Sequence, residues 1–256
     1  MRLDRFLSGQ TAYSRKEVTA YIRSGSVTVN GVLVRKPDTA VNPETDAVAL
    51  RGETVRYQTN RYFLMHKPEG VITATRDGRQ ETVLDLLDPK DRLSGIFPAG
   101  RLDVDTAGLL ILTDDGDFAH RMLSPKSHAP KYYLVQLRDR VSQGCIDAFR
   151  SGISLREGDG AVRCMPAACA EIAPGLAVLE LCEGKYHQVK RMFAAAGNHV
   201  EKLLRIQIGR LRLPPDLSAG GYLPILYKDI ESALRKSDIS DVCAFAAANY
   251  SSYWIK

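Results

Sequence analysis

The loop Gly100-Arg101-Leu102-Asp103-Val104-Asp105-Thr106-Ala107-Gly108 runs straight into Leu109-Leu110-Ile111-Leu112, and this junction constrains the fold more than any other segment. Four consecutive apolar residues between a glycine and a threonine predict a strand over Leu109 to Thr113. A strand behind and an open loop in front leave Asp103 fixed and reachable, as a nucleophile or general base must be. Spacing alone equally permits a loop carboxylate paired with Arg101. Asp105 faces the same side in extended backbone. A glycosidase pair, however, needs roughly 5 to 9.5 Å between carboxylates, usually from different strands. Asp114 and Asp115 are explained as caps for a helix starting near Gly116.

The N-terminal segment reads as a small module. Leu3, Phe6 and Leu7 fall at helical spacing, with Arg2 and Arg5 off the apolar face. Ser14 and Glu17 form a capping box for a second helix, whose stripe is Val18, Tyr21 and Ile22 and which ends at Gly25. Val27 to Val29 and Val32 to Val34 flank Asn30-Gly31, the pairing that suits a type I′ hairpin turn. Between Met1 and Lys36 there are seven Lys or Arg residues (among them Arg2, Arg5, Arg15, Lys16 and Lys36) against two acids. Between Lys185 and Arg212 there are seven against one. In a chain of net charge +5 these two blocks stand out and suggest a polyanion-binding surface built from two parts of the chain.

The five cysteines are odd in number and lack zinc-ligand spacing, so reduced thiols in a cytoplasmic protein are expected. No apolar run follows Met1-Arg2-Leu3-Asp4, so no leader is expected, and no stretch has the length of a membrane span. Further along, Tyr62 to Met65, Lys131 to Leu137 and Ala177 to Leu181 read as strands. Thr82 to Leu87 and Cys145 to Phe149 read as helices. Many strands with a few helices between them argue for an α+β or mixed-sheet domain.

Two further segments carry candidate chemistry. In Glu183-Gly184-Lys185-Tyr186-His187-Gln188-Val189-Lys190-Arg191-Met192-Phe193, Val189, Met192, Phe193 and Ala196 form one helical stripe. Lys190 lies on its flank, able to reach a cleft or simply solvated. Arg191 points away, free for a phosphate. His187 is open between a capping or core residue and an RNA contact. In Lys131-Tyr132-Tyr133-Leu134-Val135 the tyrosines face opposite sides of a strand, so one alone can line a site and stack on a base.

The N-terminal module resembles the S4 RNA-binding domain through Arg2-Leu3-Asp4, Ser14-Arg15, Ile22 with Gly25, and Val27-Thr28-Val29-Asn30-Gly31 followed by Lys36-Pro37. The remaining motifs, in this order, resemble the pseudouridine synthases, in particular the RsuA branch. They are Gly100-Arg101-Leu102-Asp103 with Thr106 and Gly108, then Lys131-x-Tyr133-Leu134-Val135, then Glu183-Gly184 with Gln188-Val189-Lys190-Arg191-Met192-Phe193.

The resemblance implies an α+β protein: a small S4 domain (1–51), a linker (52–60) and a mixed or antiparallel-sheet catalytic domain (61–236). The tail (237–256) departs from the family and receives no role. It further implies Asp103 as the catalytic carboxylate, Tyr133 as the active-site tyrosine and Lys190 as the basic partner that keeps Asp103 ionised. Arg101 would fill the gap left in the RNA stack. Arg2, Arg5, Arg15, Lys16, Lys36, His187 and Arg191 would contact RNA. The implied reaction converts a uridine of small-subunit 16S rRNA, expected at position 516, into pseudouridine. The substrate would be ribosomal RNA or an assembly intermediate, and the protein a monomer acting without cofactor or metal. The alternatives are a large-subunit rRNA target and a non-catalytic RNA-binding or ribosome-assembly protein.

Overall fold

Local rules build the N-terminal module. Ser14 accepts from the Glu17 N–H while Glu17 reaches back to the Ser14 N–H, so the capping box forms as expected. Gly25 ends the helix in the left-handed conformation, with φ of 82°, which glycine adopts without strain. Asn30 and Gly31 both take positive φ (52° and 79°), as a type I′ turn requires. The elements are α1 (Leu3–Gln10), α2 (Arg15–Ser24), β1 (Val27–Val29), β2 (Val32–Leu33), β3 (Val48–Leu50) and β4 (Glu53–Val55). They form a sheet of order β2-β1-β3-β4 over a core of Leu3, Phe6, Leu7, Val18, Ile22 and Val48. β4 lies within the stretch read from sequence as a linker and pairs with β3, so the sheet of this module continues past residue 51.

The computed structural model describes residues 1–124, 129–158 and 160–254. Beyond the first module it contains β5 (Tyr62–Lys67), β6 (Phe97–Pro98), β7 (Ala107–Thr113), α3 (Gly116–Leu123), β8 (Lys131–Leu137) and α4 (Gln143–Ser151). There follow β9 (Ser154–Glu157), β10 (Gly160–Arg163), β11 (Ala168–Ala173), β12 (Leu176–Leu181), α5 (Gln188–Ala195) and β13 (Val200–Ile208). The chain finishes with β14 (Leu211–Arg212), β15 (Tyr222–Pro224), α6 (Tyr227–Ile230) and α7 (Ile239–Tyr250). The main sheet runs β11-β12-β8-β13-β7-β5-β15, with β14 on β13 and β6 on β7. β7 and β13 are parallel; the other neighbours are antiparallel.

Both faces of this sheet are covered, which is why β7 can be apolar throughout. Leu109 and Ile111 join a core with Phe118 and Ile206, whereas Leu110 and Leu112 join another with Phe63 and Met65. Gly108 sits where β7 meets β13. It has φ of 115°, and a Cβ there would lie 2.4 Å from the Arg205 carbonyl oxygen, so only glycine lets the two strands approach.

Three expectations need correction or addition. Thr82 to Leu87 forms turns rather than a helix: its backbone bonds span three residues, from the Asp85 N–H to the Thr82 carbonyl and from the Leu87 N–H to the Leu84 carbonyl. Asp115 caps α3 by accepting from the Phe118 N–H, but Asp114 instead clamps Arg61, accepting from its N–H at 2.6 Å and its guanidinium at 3.2 Å. The segment after residue 236 is no loose appendage. In α7, Val242, Ala246 and Tyr250 are buried in the same core as Tyr132 and Ile206, and the Tyr250 hydroxyl donates to the Leu213 carbonyl. Residues 255 and 256 lie outside the described residues. Among the described residues no helix is long and apolar enough to cross a membrane.

Candidate active site

The loop before β7 is held from several sides through its backbone. Asp103 begins a tight turn whose carbonyl accepts from the Thr106 N–H. The Thr73 hydroxyl donates to the Leu102 carbonyl at 2.8 Å, and Gly70 N–H donates to the Val104 carbonyl at 2.7 Å. Lys67, fully buried at the end of β5, donates to the carbonyls of Pro68 (2.9 Å), Val104 (3.4 Å) and Thr106 (3.0 Å). Arg205 on β13 donates through Nε to the Leu109 carbonyl at 2.8 Å. A loop so anchored leaves the Asp103 side chain 34% exposed and pointed at a cleft.

That cleft, about 310 Å³, lies between the loop, Tyr133 on β8 and the start of α5. Its walls include Arg101, Asp103, Tyr133, His187, Lys190 and Leu203. The two neighbouring tyrosines separate as a strand demands. Tyr132 is buried in the core with its hydroxyl on the Ser237 carbonyl, and Tyr133 faces the cleft. His187 has φ of 48° and φ in this region is uncommon for a residue other than glycine. The conformation brings its Nε2 to 3.6 Å from the Asp103 carboxylate and lays its ring on Tyr186, with centroids 3.8 Å apart.

The ion pairs differ from the expected ones. Lys190 is bound to Asp105, not to Asp103, and this pairing holds the Asp105 carboxyl below its ordinary range. Arg101 makes no ion pair with Asp103 among the described residues, so the reading of Asp103 as a mere partner for Arg101 is not what forms. Arg191 is not free for a phosphate: its guanidinium donates to the backbone carbonyls of Tyr186 (3.1 Å) and Arg156 (2.5 Å). Lys67 was not legible as a site residue. Burial pushes its ammonium down to about 8, with the carboxylates of Asp105 and Asp103 pulling it back up. The one sequence signal was its place at a strand end before Pro68.

The basic residues of the first module remain exposed. Arg2 and Arg15 flank the buried Asp4 at 3.0 and 3.4 Å, and Arg5, Lys16 and Lys36 have no ion-pair partner among the described residues. All five are thus available to a polyanion, two of them on a shared internal carboxylate.

A reachable carboxylate beside an aromatic ring, in a cleft ringed with cations and preceded by a basic module, fits base chemistry on RNA. The family model described as RNA pseudouridylate synthase matches residues 61–195, and the S4 domain model matches residues 1–46. The chain belongs to the RNA pseudouridylate synthases, isomerases that convert uridine to pseudouridine, and carries an S4 domain ahead of the synthase domain.

Within that family it is 42% identical to the RNA pseudouridine synthase YtzG of Bacillus subtilis (strain 168), over 90% of this chain and 97% of that one. It is 41% identical to ribosomal small subunit pseudouridine synthase A of Escherichia coli (strain K12), over 91% of this chain and all of that one. A solved structure of a pseudouridylate synthase superposes with a TM-score of 0.64 at 36% identity, covering 91% of this chain and 99% of the other.

Proposed function

We propose that this chain isomerises one uridine of small-subunit ribosomal RNA, at position 516, with Asp103 as the essential carboxylate. The observation that carries the assignment of Asp103 is its placement: half-exposed, on a loop anchored by backbone hydrogen bonds, opening into the cleft that Tyr133 faces. The choice of RNA is supported by the identity to small-subunit enzymes along nearly their whole length.

The reaction breaks the bond from C1′ to N1 of uridine and forms one from C1′ to C5; C5 gives up its proton and N1 gains one. No electrons leave or enter, so the residues of the cleft suffice. The target base must leave the stack, at a cost of a few kcal/mol, and Arg101, exposed at the cleft mouth, occupies the gap. Tyr133 supplies an aromatic face for the extruded uracil. Asp103 attacks C1′ or removes the C2′ proton; both routes require the ionised carboxylate, and His187 Nε2 lies 3.6 Å from it. Lys190, held at the rim by Asp105, places a positive charge beside the cleft.

The target is tested by incubating the protein with unmodified small-subunit and large-subunit RNA, each free and with ribosomal proteins, and mapping pseudouridine by carbodiimide-dependent reverse-transcription stops. A single stop at small-subunit position 516 is expected. A stop in large-subunit RNA alone overturns the target and leaves the chemistry.

A further inference from the structure

On the other side of Tyr133 and Arg101 from the catalytic carboxylate lies a second cavity, of about 540 Å³, bounded by Lys131, Met165, Arg205 and Ile208. The two cavities share Arg101, Tyr133, Glu183 and Gly184, so they are adjoining chambers. The second is of the size that holds a nucleotide.

Strand register explains its charge. Lys131 and Tyr133 are two residues apart on β8 and project from the same face. Arg205 is the cross-strand partner of Tyr133 on β13, so it projects from that face too. Arg205 is 4% exposed, and its Nη2 has no hydrogen-bond partner among the described residues. Its Nε and Nη1 reach the carbonyls of Leu109 and Arg101, which are neutral. Lys131 has no ion pair among the described residues, and burial followed by the neighbouring Arg205 charge lowers its pKa. The carboxylate at the cavity wall, Glu183, is already committed: it accepts from the Met165 N–H and the Gln188 side chain and pairs with Lys185. Two cations on one sheet face therefore lack a counter-charge among the described residues. Burying charge without one is costly, and an arriving anion with several acceptor oxygens removes the deficit.

We propose that this second cavity is an RNA subsite that takes a nucleotide flanking the target uridine, with its phosphate seated between Arg205 and Lys131. The subsite lies immediately beyond Arg101, so it receives the strand where the extruded uridine leaves it. Apolar walls from Ala99, Met122, Leu123 and Ile208 cover the sugar and base without reading base edges. The subsite holds the backbone in register with Asp103 and contributes little to base choice.

The inference rests on the reading that uridine-bearing RNA occupies the Asp103 cleft. It is tested on the rRNA fragment that the wild type converts, with a neutral methylphosphonate replacing each phosphate within two nucleotides of the target in turn. The wild type should lose about tenfold in KM at one position, the loss expected for one charge-assisted contact. Lys131→Gln should lose about tenfold on the natural fragment, keep its kcat within about twofold, and be indifferent to the methylphosphonate at that position. Arg205→Lys, which keeps the charge but shortens the fork, should fall between them. Thermal unfolding of each variant shows whether it folds. If Lys131→Gln and wild type respond alike at every position, the subsite is wrong. Tritium release by Asp103→Asn equal to wild type would instead overturn the reading of the cleft itself.

Discussion

Lys190 is ion-paired with Asp105, two residues past Asp103, so the cation expected to serve Asp103 is held by its neighbour. Asp103 instead has His187 Nε2 at 3.6 Å. The loop turn between Asp103 and Thr106 sends the two carboxylates to different partners, although extended backbone would have set them side by side.

If Asp105 only tethers Lys190, the two partners of this pair must respond differently to loss of charge. Asp105→Asn should cost less than about tenfold in kcat, whereas Lys190→Ala should cost about a hundredfold, the scale of losing one preorganised charge at a reacting centre. Single-turnover rates on the rRNA substrate check both. Equal losses would make the Lys190–Asp105 pair itself the working unit.

Lys67 gives a stability signature with a definite sign. Its folded pKa, about 8, lies below the ordinary 10.5 because burial disfavours the charge. Between those values the unfolded chain holds a proton that the folded chain has released, so this group's contribution to stability rises with pH. Below about 8 both states are charged and the burial cost is fully present. Urea unfolding at pH 7 and pH 10 should show Lys67→Met removing that rise. The variant should also turn over about tenfold or more slowly, since the Thr106 and Val104 carbonyls lose the donor that fixes the loop.

Gly108 and Gly197 separate contact from conformation. Both have positive φ, but a Cβ on Gly197 meets nothing within 4 Å, whereas on Gly108 it meets Arg205 backbone at 2.4 Å. Gly197→Ala should destabilise by about 1 kcal/mol. Gly108→Ala should cost about 3 kcal/mol or more and displace the loop that carries Asp103. Chemical denaturation of the two variants measures the difference.

The S4 module is expected to bind chiefly through charge. Replacing Arg5, Lys16 and Lys36 together with glutamine should reduce the slope of log K against log salt by about 2 to 3. At saturating RNA the rate of isomerisation should stay within about twofold. Fluorescence anisotropy across a salt series checks the slope.

Much of this was legible locally. The capping box, the Asn30-Gly31 hairpin and β7 follow from residues within one turn or strand, as did the separation of Tyr133 from Tyr132. The central strand β13 was not read as one. Its Lys202, Arg205 and Gln207 break an apolar pattern, and two of them are buried against partners far away in sequence: the Leu109 carbonyl accepts from Arg205 Nε, and the Ser237 hydroxyl lies on the Gln207 amide. The burial of Lys67 depends likewise on a loop some forty residues away in sequence. Lys190 was expected at the cleft and lines it, but its partner depends on a loop turn that helical periodicity does not report.

The most direct test of the central claim is tritium release from C5-labelled uridine in small-subunit RNA carrying ribosomal proteins, comparing wild type with Asp103→Asn. The account predicts stoichiometric release by the wild type and none above background by the variant, with RNA affinity unchanged within about twofold. Release by Asp103→Asn at a rate near that of the wild type would contradict it.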